Sequence, residues 1–276
     1  MLNFIKRKIE KHRLKRTFQE YGSTINEFNV DGIGVVKYAQ WLHPLESKKE
    51  VTTSNVGFYK KLVRPGATII DIGAHTGDTT VPMALACGKE GLVIALEPNP
   101  YVFKILEANA KLNQELTNID ALCFAATEKE GDFVFHYSDA SFCNGGFLTQ
   151  LKNQQHNHSY TLTVKGKNLQ DYLYNHYQQR LPRVELLKVD AEGYDKEILK
   201  GMSKFISTYK PIIMAECYKK LTLPEREELF DVISNNGYDL FYLEGFEENA
   251  RKEKIERSNM NDRRHFEILA FPKQVS

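Results

Sequence analysis

The sequence predicts an α/β fold built on a mostly parallel sheet with helices on both faces. Short apolar runs alternate along the chain with longer amphipathic segments, a rhythm typical of strands that alternate with helices. Polar residues do not interrupt the apolar runs, which indicates strands buried on both faces. A chain of 276 residues is long enough for one such domain with additions.

From about residue 51 onward, seven strands and four helices are predicted in alternation. The predicted core strands are 68–72, 92–96, 119–124, 186–189, 212–215, 240–243 and 267–271. The predicted helices are 79–86, 101–112, 195–205 and 225–235. We therefore expect one domain over residues 51–276, preceded by an N-terminal helical and β extension over residues 1–50.

The extension begins with a basic amphipathic helix and continues with short strands. Leu2, Ile5 and Ile9 are spaced by three and four residues, which predicts one apolar helix face within residues 1–16. The first 20 residues carry seven Lys or Arg against two Glu. Such a helix packs on the body of the domain in one interpretation, and in the other it rests peripherally on an anionic membrane surface.

Two segments interrupt the alternation of strands and helices. Residues 127–183 separate the third and fourth core strands and contain a predicted strand at 133–137 and a predicted helix at 169–177. Residues 244–264 are charged and lack clear periodicity. Long irregular segments at the ends of a compact sheet often serve as lids or binding loops.

The charge argues against one class of partner, and the cysteine spacing argues against a metal site. Beyond the first 20 residues, the chain holds 30 Lys or Arg and 34 Asp or Glu, a net charge of −4. This acidic body argues against nucleic acid as the main partner, because phosphate binding requires a basic face. The four cysteines have no CxxC spacing, and we expect no metal site. No signal-peptide pattern is visible, and we expect a cytoplasmic protein.

The stretch DIGAHTGDTT, which begins at Asp71, links the first core strand to the helix that follows it. Ligands of open α/β sheets bind beyond the carboxyl ends of the strands, so this turn is a candidate binding site. Gly73 and Gly77 let the backbone approach a ligand closely. A dinucleotide fingerprint would require glycine in place of His75 and Asp78. Carboxylates in this turn suit a cationic ligand better than a diphosphate, and the sulfonium S-adenosylmethionine (SAM) fits.

A second acidic residue, Glu97, ends the second core strand in the stretch ALEPNP. It lies 26 residues after Asp71, close to the roughly 20-residue separation at which an acidic residue accepts ribose hydroxyls. The glycine turn and this acid occupy two successive strand ends, which makes the pair moderately specific. A structural alternative is that Glu97 caps the helix after Pro98.

Three stretches together resemble the FkbM family of SAM-dependent methyltransferases: ATIIDIGAHTGDTT, GLVIALEPNPYVFKILEANAKLN and LLKVDAEGYDKEILKG. The third is the most distinctive, with Lys-Val-Asp-x-Glu-Gly before a helix that ends in Leu-Lys-Gly. The resemblance covers roughly Val51 to Pro272. It implies a Rossmann-like class I methyltransferase with a seven-stranded sheet whose last strand is antiparallel. It also implies O-methylation of hydroxyl groups on sugars, glycolipids or polyketide-type metabolites.

The resemblance also implies which residues contact the cofactor. It places Asp71, Gly73, Ala74, His75 and Gly77 along the methionine moiety, Glu97 at the ribose, and Asn99, Ala125 and Ala126 near the adenosine. His75 departs from the asparagine that many family members carry, which weakens any catalytic claim for it.

Two carboxylates close the fourth core strand, where the resemblance places the transferred methyl group. Strand alternation over KVDAE puts Asp190 and Glu192 on the same side. A base that takes the proton of a hydroxyl acceptor accelerates transfer by roughly 10²–10⁴-fold. We expect one of the two to be that base, while the other could hold the amino group of SAM. The alternative is that they orient a loop and cap a helix. Glu216, at the end of the fifth core strand, is either a further catalytic candidate or an ion-pair partner of Lys219 or Lys220.

The stretch SDASFCNGGF is predicted to face the acceptor, which we expect to be a small molecule, a sugar or a glycan. Ser141 and Asn144 offer hydrogen bonds to a polyol, although the Asn-Gly pair fits a hairpin turn equally well.

Two other functions fit parts of the sequence. A nicotinamide-dependent oxidoreductase could use the same sheet, but His75 and the absence of a Tyr-x-x-x-Lys pair after the fourth core strand argue against it. A membrane-associated module that binds SAM without turnover is suggested by the basic helix at residues 1–16.

Overall fold

The computed structural model describes residues 13, 15–143, 146–148 and 160–273. The strands are β1 (Ser23–Val30), β2 (Gly34–Trp41), β3 (Thr68–Ile72), β4 (Leu92–Leu96), β5 (Ile119–Leu122), β6 (Ala125–Thr127), β7 (Gly131–Tyr137), β8 (Phe147–Leu148), β9 (Tyr160–Asn168), β10 (Val184–Val189), β11 (Ile212–Cys217), β12 (Tyr238–Leu243), β13 (Lys252–Lys254) and β14 (Phe266–Pro272). The helices are α1 (Thr53–Lys60), α2 (Thr80–Cys87), α3 (Pro100–Leu112), α4 (Leu169–His176), α5 (Asp195–Gly201), α6 (Ser203–Tyr209) and α7 (Leu223–Asn235), with 3₁₀ helices at Leu181–Arg183 and Arg257–Asn259.

The main sheet has the strand order β13-β12-β14-β11-β10-β3-β4-β5. The five strands from β11 to β5 are parallel, and β14 is antiparallel to both of its neighbours. The chain runs outward from β3 through β4 to β5 before it returns to β10, so the strand order reverses between β3 and β10. Ligands of such sheets bind at this reversal.

The main sheet has one strand more than the seven that the sequence predicts. β13 pairs with the edge of β12 and comes from the charged segment that lacks periodicity. All three of its side chains are exposed, so it carries none of the apolar alternation on which strand prediction depends. The predicted helix 195–205 is also divided, because Met202 takes a non-helical conformation between α5 and α6.

The centre of the main sheet is buried on both faces. Every residue of β3 and β4 is buried, and two hydrophobic clusters pack against the sheet. The charged residues buried within β3 and β10 are Asp71 and Lys188, with exposed fractions of 0% and 3%. A buried charge requires a partner of opposite sign, and these two residues meet across the paired strands.

The described residues of the insertion at 127–183 contribute to a second sheet, which begins with β6 at Ala125. Its strand order is β6-β9-β7-β8, in which β7 and β9 are antiparallel and β6 runs parallel to β9. Phe135 and Tyr137 on β7 reach the cavity described below. The insertion therefore contributes a structured wall to the site.

The described part of the N-terminal extension is mainly the β1–β2 hairpin. Asn109 on α3 anchors it: Oδ1 accepts from Ala39 N at 2.6 Å, and Nδ2 donates to Ala39 O at 3.1 Å and to Thr76 O at 2.7 Å. The helix predicted within residues 1–16 lies almost wholly outside the described residues. Among the helices that the structure describes, none combines the length and the apolar character needed to cross a membrane.

Candidate active site

A cavity of about 490 Å³ lies at the carboxyl ends of β3, β4 and β10, where the strand order reverses. Its volume falls within the roughly 300–1,000 Å³ of small-molecule sites. Its walls come from the turns that follow β3, β4 and β10 and from β6 and β7. Residues 45–47 and 49, which follow the hairpin, complete the wall.

Gly73 brings the turn after β3 against the end of β10. Its φ is +75°, and a β-carbon at this position would lie 1.9 Å from the carbonyl oxygen of Asp190. Such a close approach requires glycine. Gly77, with φ of +92°, packs towards Leu106 and Asn109 instead. Of the two glycines predicted beside the cofactor, Gly73 lines the cavity and Gly77 shapes the turn from behind.

Glu97 is fixed at the cavity wall by two backbone hydrogen bonds. Its Oε2 accepts from His75 N at 3.0 Å, and its Oε1 accepts from Asn99 N at 2.9 Å. The residue is 7% exposed, and burial raises the pKa of its carboxyl group. Each carboxylate oxygen has a second lone pair, so the group can accept two further hydrogen bonds from a diol.

The helix after Glu97 is capped by Asn99. Its Oδ1 accepts from Tyr101 N at 3.0 Å, and its Nδ2 donates to Phe142 O at 2.7 Å. Capping is therefore performed by Asn99, and the carboxylate of Glu97 is directed to the cavity instead. Asn99 itself lines the cavity, although these bonds occupy its side chain.

The wall beyond Glu97 is apolar. Ala125 and Ala126, predicted near the adenosine, line the cavity together with Phe124, Tyr194 and Ile198. Small and aromatic side chains leave an apolar slot beside the carboxylate. Pockets of this composition accept flat heterocycles, with a few polar groups to fix their orientation.

Asp71 is the buried partner of Lys188 and does not line the cavity. Its Oδ1 accepts from Lys188 Nζ at 3.0 Å, and its Oδ2 accepts from Thr80 Oγ1 at 2.6 Å. Burial lowers the pKa of Lys188, but Asp71 and Asp190 outweigh burial and hold the pKa above its ordinary value. The prediction that Asp71 contacts the cofactor is corrected, because its side chain is fully buried and does not line the cavity. Ala74 is likewise buried behind the wall.

Asp190 and Glu192 line the cavity at the end of β10, and we call this pair the acidic wall. The side chain of Asp190 is 40% exposed, and its Oδ2 lies 3.7 Å from Lys188 Nζ. Glu192 has a left-handed φ of +50°, a conformation that is costly for a non-glycine residue and clusters at functional sites. Burial, followed by the charge of Asp190, raises the pKa of its carboxyl group.

The turn after β10 is braced by Asp195. Its Oδ2 accepts from Gly193 N at 3.2 Å and from Ala191 N at 3.3 Å, and its Oδ1 accepts from Glu216 N at 3.2 Å. Asp195 therefore satisfies the backbone donors of this turn, a task that the sequence would equally have allowed for Glu192.

Glu216 lies behind the acidic wall and does not line the cavity. Its Oε1 is 3.4 Å from His265 Nδ1, and its Oε2 has no hydrogen-bond partner among the described residues. Burial, followed by the charges of Asp190 and Asp195, raises the pKa of Glu216 to about 10. The prediction that Glu216 is catalytic is corrected, because its side chain does not line the cavity.

Opposite charges meet beside the turn after β3, and we call Glu46, Lys49, His75 and Asp78 the mixed-charge wall. Lys49 Nζ lies 2.7 Å from Asp78 Oδ2 and 3.4 Å from Glu46 Oε1. His75 Nε2 lies 3.9 Å from Glu46 Oε2. Burial raises the pKa of Asp78, but Lys49 and His75 outweigh burial and leave it below its ordinary value.

Of the two residues predicted to contact the acceptor, Ser141 lies outside the cavity. Its Oγ accepts from Gln19 N at 2.9 Å and donates to Thr17 O at 3.3 Å. Ser141 therefore fastens the chain that precedes the hairpin, and its prediction is corrected. Asn144 lies outside the described residues. Within the part of the chain that the structure describes, no three His, Cys, Asp or Glu side chains are grouped to hold a metal ion.

The cavity fits SAM in three respects. The carboxylate of Glu97 can accept the two ribose hydroxyls, and the apolar slot beside it suits an adenine ring. Carboxylates along the wall favour the positive charge of a sulfonium.

Comparison with known proteins points to methyltransferases. The family described as "Methyltransferase FkbM domain" matches residues 71–240. The chain is 24% identical over 193 residues to the methyltransferase sdnD of Sordaria araneosa, and the aligned region covers 62% of this chain and 73% of sdnD. It is 26% identical over 145 residues to the hexuronic acid methyltransferase AglP of Haloferax volcanii. This aligned region covers 52% of this chain and about half, 53%, of AglP.

Solved structures include two distant neighbours. The methyltransferase FkbM of Methylobacillus flagellatus is 13% identical with a TM-score of 0.43, over 78% of this chain and 50% of that chain. Fibrillarin of Aeropyrum pernix, in complex with natively bound SAM, is 12% identical with a TM-score of 0.44, over 92% of this chain and 96% of that chain. Since the family match spans more than half of the sequence, the chain belongs to the FkbM family of methyltransferases, with a Rossmann-like class I fold and SAM as its cofactor.

Proposed function

We propose that the protein transfers the methyl group of SAM to a hydroxyl group of a small molecule, a sugar or a lipid-linked glycan. One observation carries this proposal: a single cavity is lined both by Glu97, a carboxylate suited to ribose, and by the carboxylates of the acidic wall. A binding site for the cofactor and a site for proton acceptance thereby share one space.

Glu97 and the apolar slot are the residues that we expect to hold the nucleoside. The backbone bonds from His75 and Asn99 keep Glu97 in place before any ligand arrives, so little conformational entropy is lost on binding. Bound SAM supplies a methyl group already activated by its sulfonium. The tasks left to the protein are to align the acceptor hydroxyl and to receive its proton.

Glu192 is our candidate for the general base. A base works best when its pKa approaches the working pH, and burial raises the pKa of Glu192 towards that range. Glu192 also lines the cavity, on a backbone with a left-handed φ of +50°. The proton of the acceptor hydroxyl passes to this carboxylate as the new oxygen–carbon bond forms.

Asp190 has a supporting role in this proposal. Its Oδ2 lies 3.7 Å from Lys188 Nζ. The negative charge of Asp190 then raises the pKa of Glu192. The charge also makes the cavity unfavourable for an acceptor that carries a carboxylate of its own, so we propose a neutral hydroxyl acceptor.

The proposal is tested by incubating the protein with methyl-labelled SAM and fractionated acceptors: neutral sugars, lipid-linked glycans and uronic acids. We expect label in a neutral hydroxyl compound, as a base-stable methyl ether. The base is tested with the same acceptor. Glu192→Gln should lower kcat by roughly 10²–10⁴-fold while the Kd for SAM changes little.

Glu107→Gln is the matched control, because Glu107 is an exposed carboxylate that pairs with Lys111 on α3. Label confined to uronic acids would contradict the neutral acceptor, and full activity of Glu192→Gln would exclude Glu192 as the base. Tight SAM binding without transfer to any fraction would instead favour a module that holds the cofactor without turnover.

A further inference from the structure

We propose that Glu46 and Lys49 bind the amino-acid end of the cofactor, with Glu46 receiving its α-ammonium group and Lys49 its α-carboxylate group. The inference rests on SAM as the cofactor and extends the site beyond the family match, which begins at residue 71. Nothing in the sequence connects these two positions with the glycine turn.

Both side chains line the same cavity as Gly73 and Glu97. His75 lies between the two groups of residues: its backbone N–H donates to Glu97 at 3.0 Å, and its Nε2 lies 3.9 Å from Glu46 Oε2. A nucleoside held at Glu97 would therefore extend its substituent along a wall that carries Glu46 and Lys49.

Glu46 has fewer hydrogen bonds than a buried carboxylate requires, because its Oε2 accepts one only from Cys143 Sγ, at 3.9 Å. Its side chain is 6% exposed, and Oε1 has no hydrogen-bond partner among the described residues. The nearest cation to Oε1 is Lys49 Nζ, at 3.4 Å. An unpartnered buried oxygen is costly, and an ammonium group brings three N–H donors to satisfy it.

The charges of the mixed-charge wall match a zwitterion. Two carboxylates, Glu46 and Asp78, share one ammonium group, that of Lys49, and the His75 imidazole lies 3.9 Å from Glu46. Burial lowers the pKa of Lys49, but Asp78 and Glu46 outweigh burial and keep it charged. An α-amino acid adds one cation for Glu46 and one anion for Lys49, and each then has a partner of opposite sign.

The backbone that carries Glu46 and Lys49 is fastened to β2. The side chain of Gln40 accepts from Lys49 N at 2.7 Å and donates to Ser47 O at 3.2 Å. His43 Nδ1 accepts from Leu45 N at 3.1 Å. These bonds hold the segment in place, and a preorganised segment loses little entropy when a ligand binds.

Calorimetric titration with four ligands tests the inference. S-adenosylhomocysteine has the amino-acid end without the sulfonium charge, decarboxylated SAM lacks the carboxylate, and 5′-methylthioadenosine lacks the whole amino-acid end. Glu46→Gln should lower the affinity for SAM, S-adenosylhomocysteine and decarboxylated SAM by roughly 10- to 100-fold. The affinity for 5′-methylthioadenosine should not change. Lys49→Met should lower the affinity for SAM and S-adenosylhomocysteine only, because the other two ligands lack the carboxylate.

Lys48→Met and Glu50→Gln are matched controls, because these exposed neighbours pair with each other at 3.4 Å on the surface, and we expect both to bind all four ligands as the wild type does. Unchanged SAM affinity in Glu46→Gln and Lys49→Met would overturn the inference alone. Parallel loss of 5′-methylthioadenosine would overturn it too, since that ligand cannot reach either residue. Failure of the wild type to bind SAM would overturn the cofactor assignment together with the inference.

Discussion

The cavity wall contains two groups of carboxylates whose surroundings differ. In the mixed-charge wall, Asp78 lies 2.7 Å from Lys49, and its pKa lies below the ordinary value although burial raises it. In the acidic wall, burial and the neighbouring Asp190 both raise the pKa of Glu192. The same type of side chain is thereby kept ionised at one place and brought closer to protonation at another.

This difference separates two tasks. A carboxylate compensated by a cation keeps a constant charge and suits binding, because its state does not change when a ligand arrives. A carboxylate among other acids holds a proton more readily, which suits acceptance of a proton from an acceptor. Glu216 and Glu267, behind the acidic wall, extend the trend, with pKa values raised to about 10 and about 8 by burial and then by Asp190.

Replacing Lys188 should have the largest effect on the two groups of carboxylates. Its Nζ lies 3.0 Å from Asp71 and 3.7 Å from Asp190, and its charge also lowers the pKa of Asp78. Lys188→Met leaves Asp71 buried without a cation and should lower the free energy of unfolding by about 3–5 kcal/mol. Urea denaturation measures this loss.

Two further variants serve as comparisons for Lys188→Met. Lys111→Met removes an exposed lysine from a surface pair and should change stability by less than about 1 kcal/mol. Asp71→Leu combined with Lys188→Met should recover part of the loss, because no unpaired charge remains. A loss below about 1 kcal/mol in Lys188→Met would contradict the importance of this buried pair.

Glu97→Ala sharpens the distinction between nucleoside and amino-acid contacts. It removes the acceptor for the ribose hydroxyls and leaves two backbone N–H groups unpaired, so affinity should fall by roughly 10- to 100-fold. In contrast to Glu46→Gln, the loss should extend equally to SAM and to 5′-methylthioadenosine, as titration would reveal. Unchanged affinity would remove Glu97 from the cofactor site.

Glu216→Gln tests whether the acids behind the wall are protonated in the folded state. The folded state holds the proton of Glu216 up to about pH 10, whereas the unfolded chain releases it near the ordinary value of 4.5. The folded state therefore binds more protons between these limits, and its stability falls as the pH rises through them. Glutamine removes this dependence.

The free energy of unfolding of Glu216→Gln, relative to that of the wild type, should thus rise between about pH 5 and about pH 9, by at most about 5 kcal/mol. Urea denaturation at several pH values measures the trend, with the exposed Glu107→Gln as a variant that should show none. A difference independent of pH would show that Glu216 ionises normally.

Asp190→Asn gives the smallest expected effect and distinguishes the two residues of the acidic wall. Removing the charge of Asp190 should lower the pKa of Glu192, so the acidic limb of the kcat profile should move to lower pH. The labelled-methyl assay at several pH values measures the shift. Loss of activity at every pH would make Asp190 the base.

Much of the fold follows from local pattern. The strands β3, β4 and β10 are nearly continuous apolar runs, and the glycine turn marks the strand end at the cavity. β13 escapes prediction because its three exposed residues have no apolar face. The site is less predictable, since Glu46 and Lys49 reach it through tertiary packing of the hairpin. The buried ion pair of Lys188 could have been predicted from the sequence, because a lysine inside an apolar strand requires a buried acid.

A crystal structure of the protein with S-adenosylhomocysteine tests the division of the cavity wall most directly. The account predicts ribose hydroxyls within hydrogen-bond distance of Glu97, the amino-acid end between Glu46 and Lys49, and the acidic wall left open beside the sulfur atom. The amino-acid end bound against Asp190 and Glu192, with the ribose away from Glu97, would contradict the account.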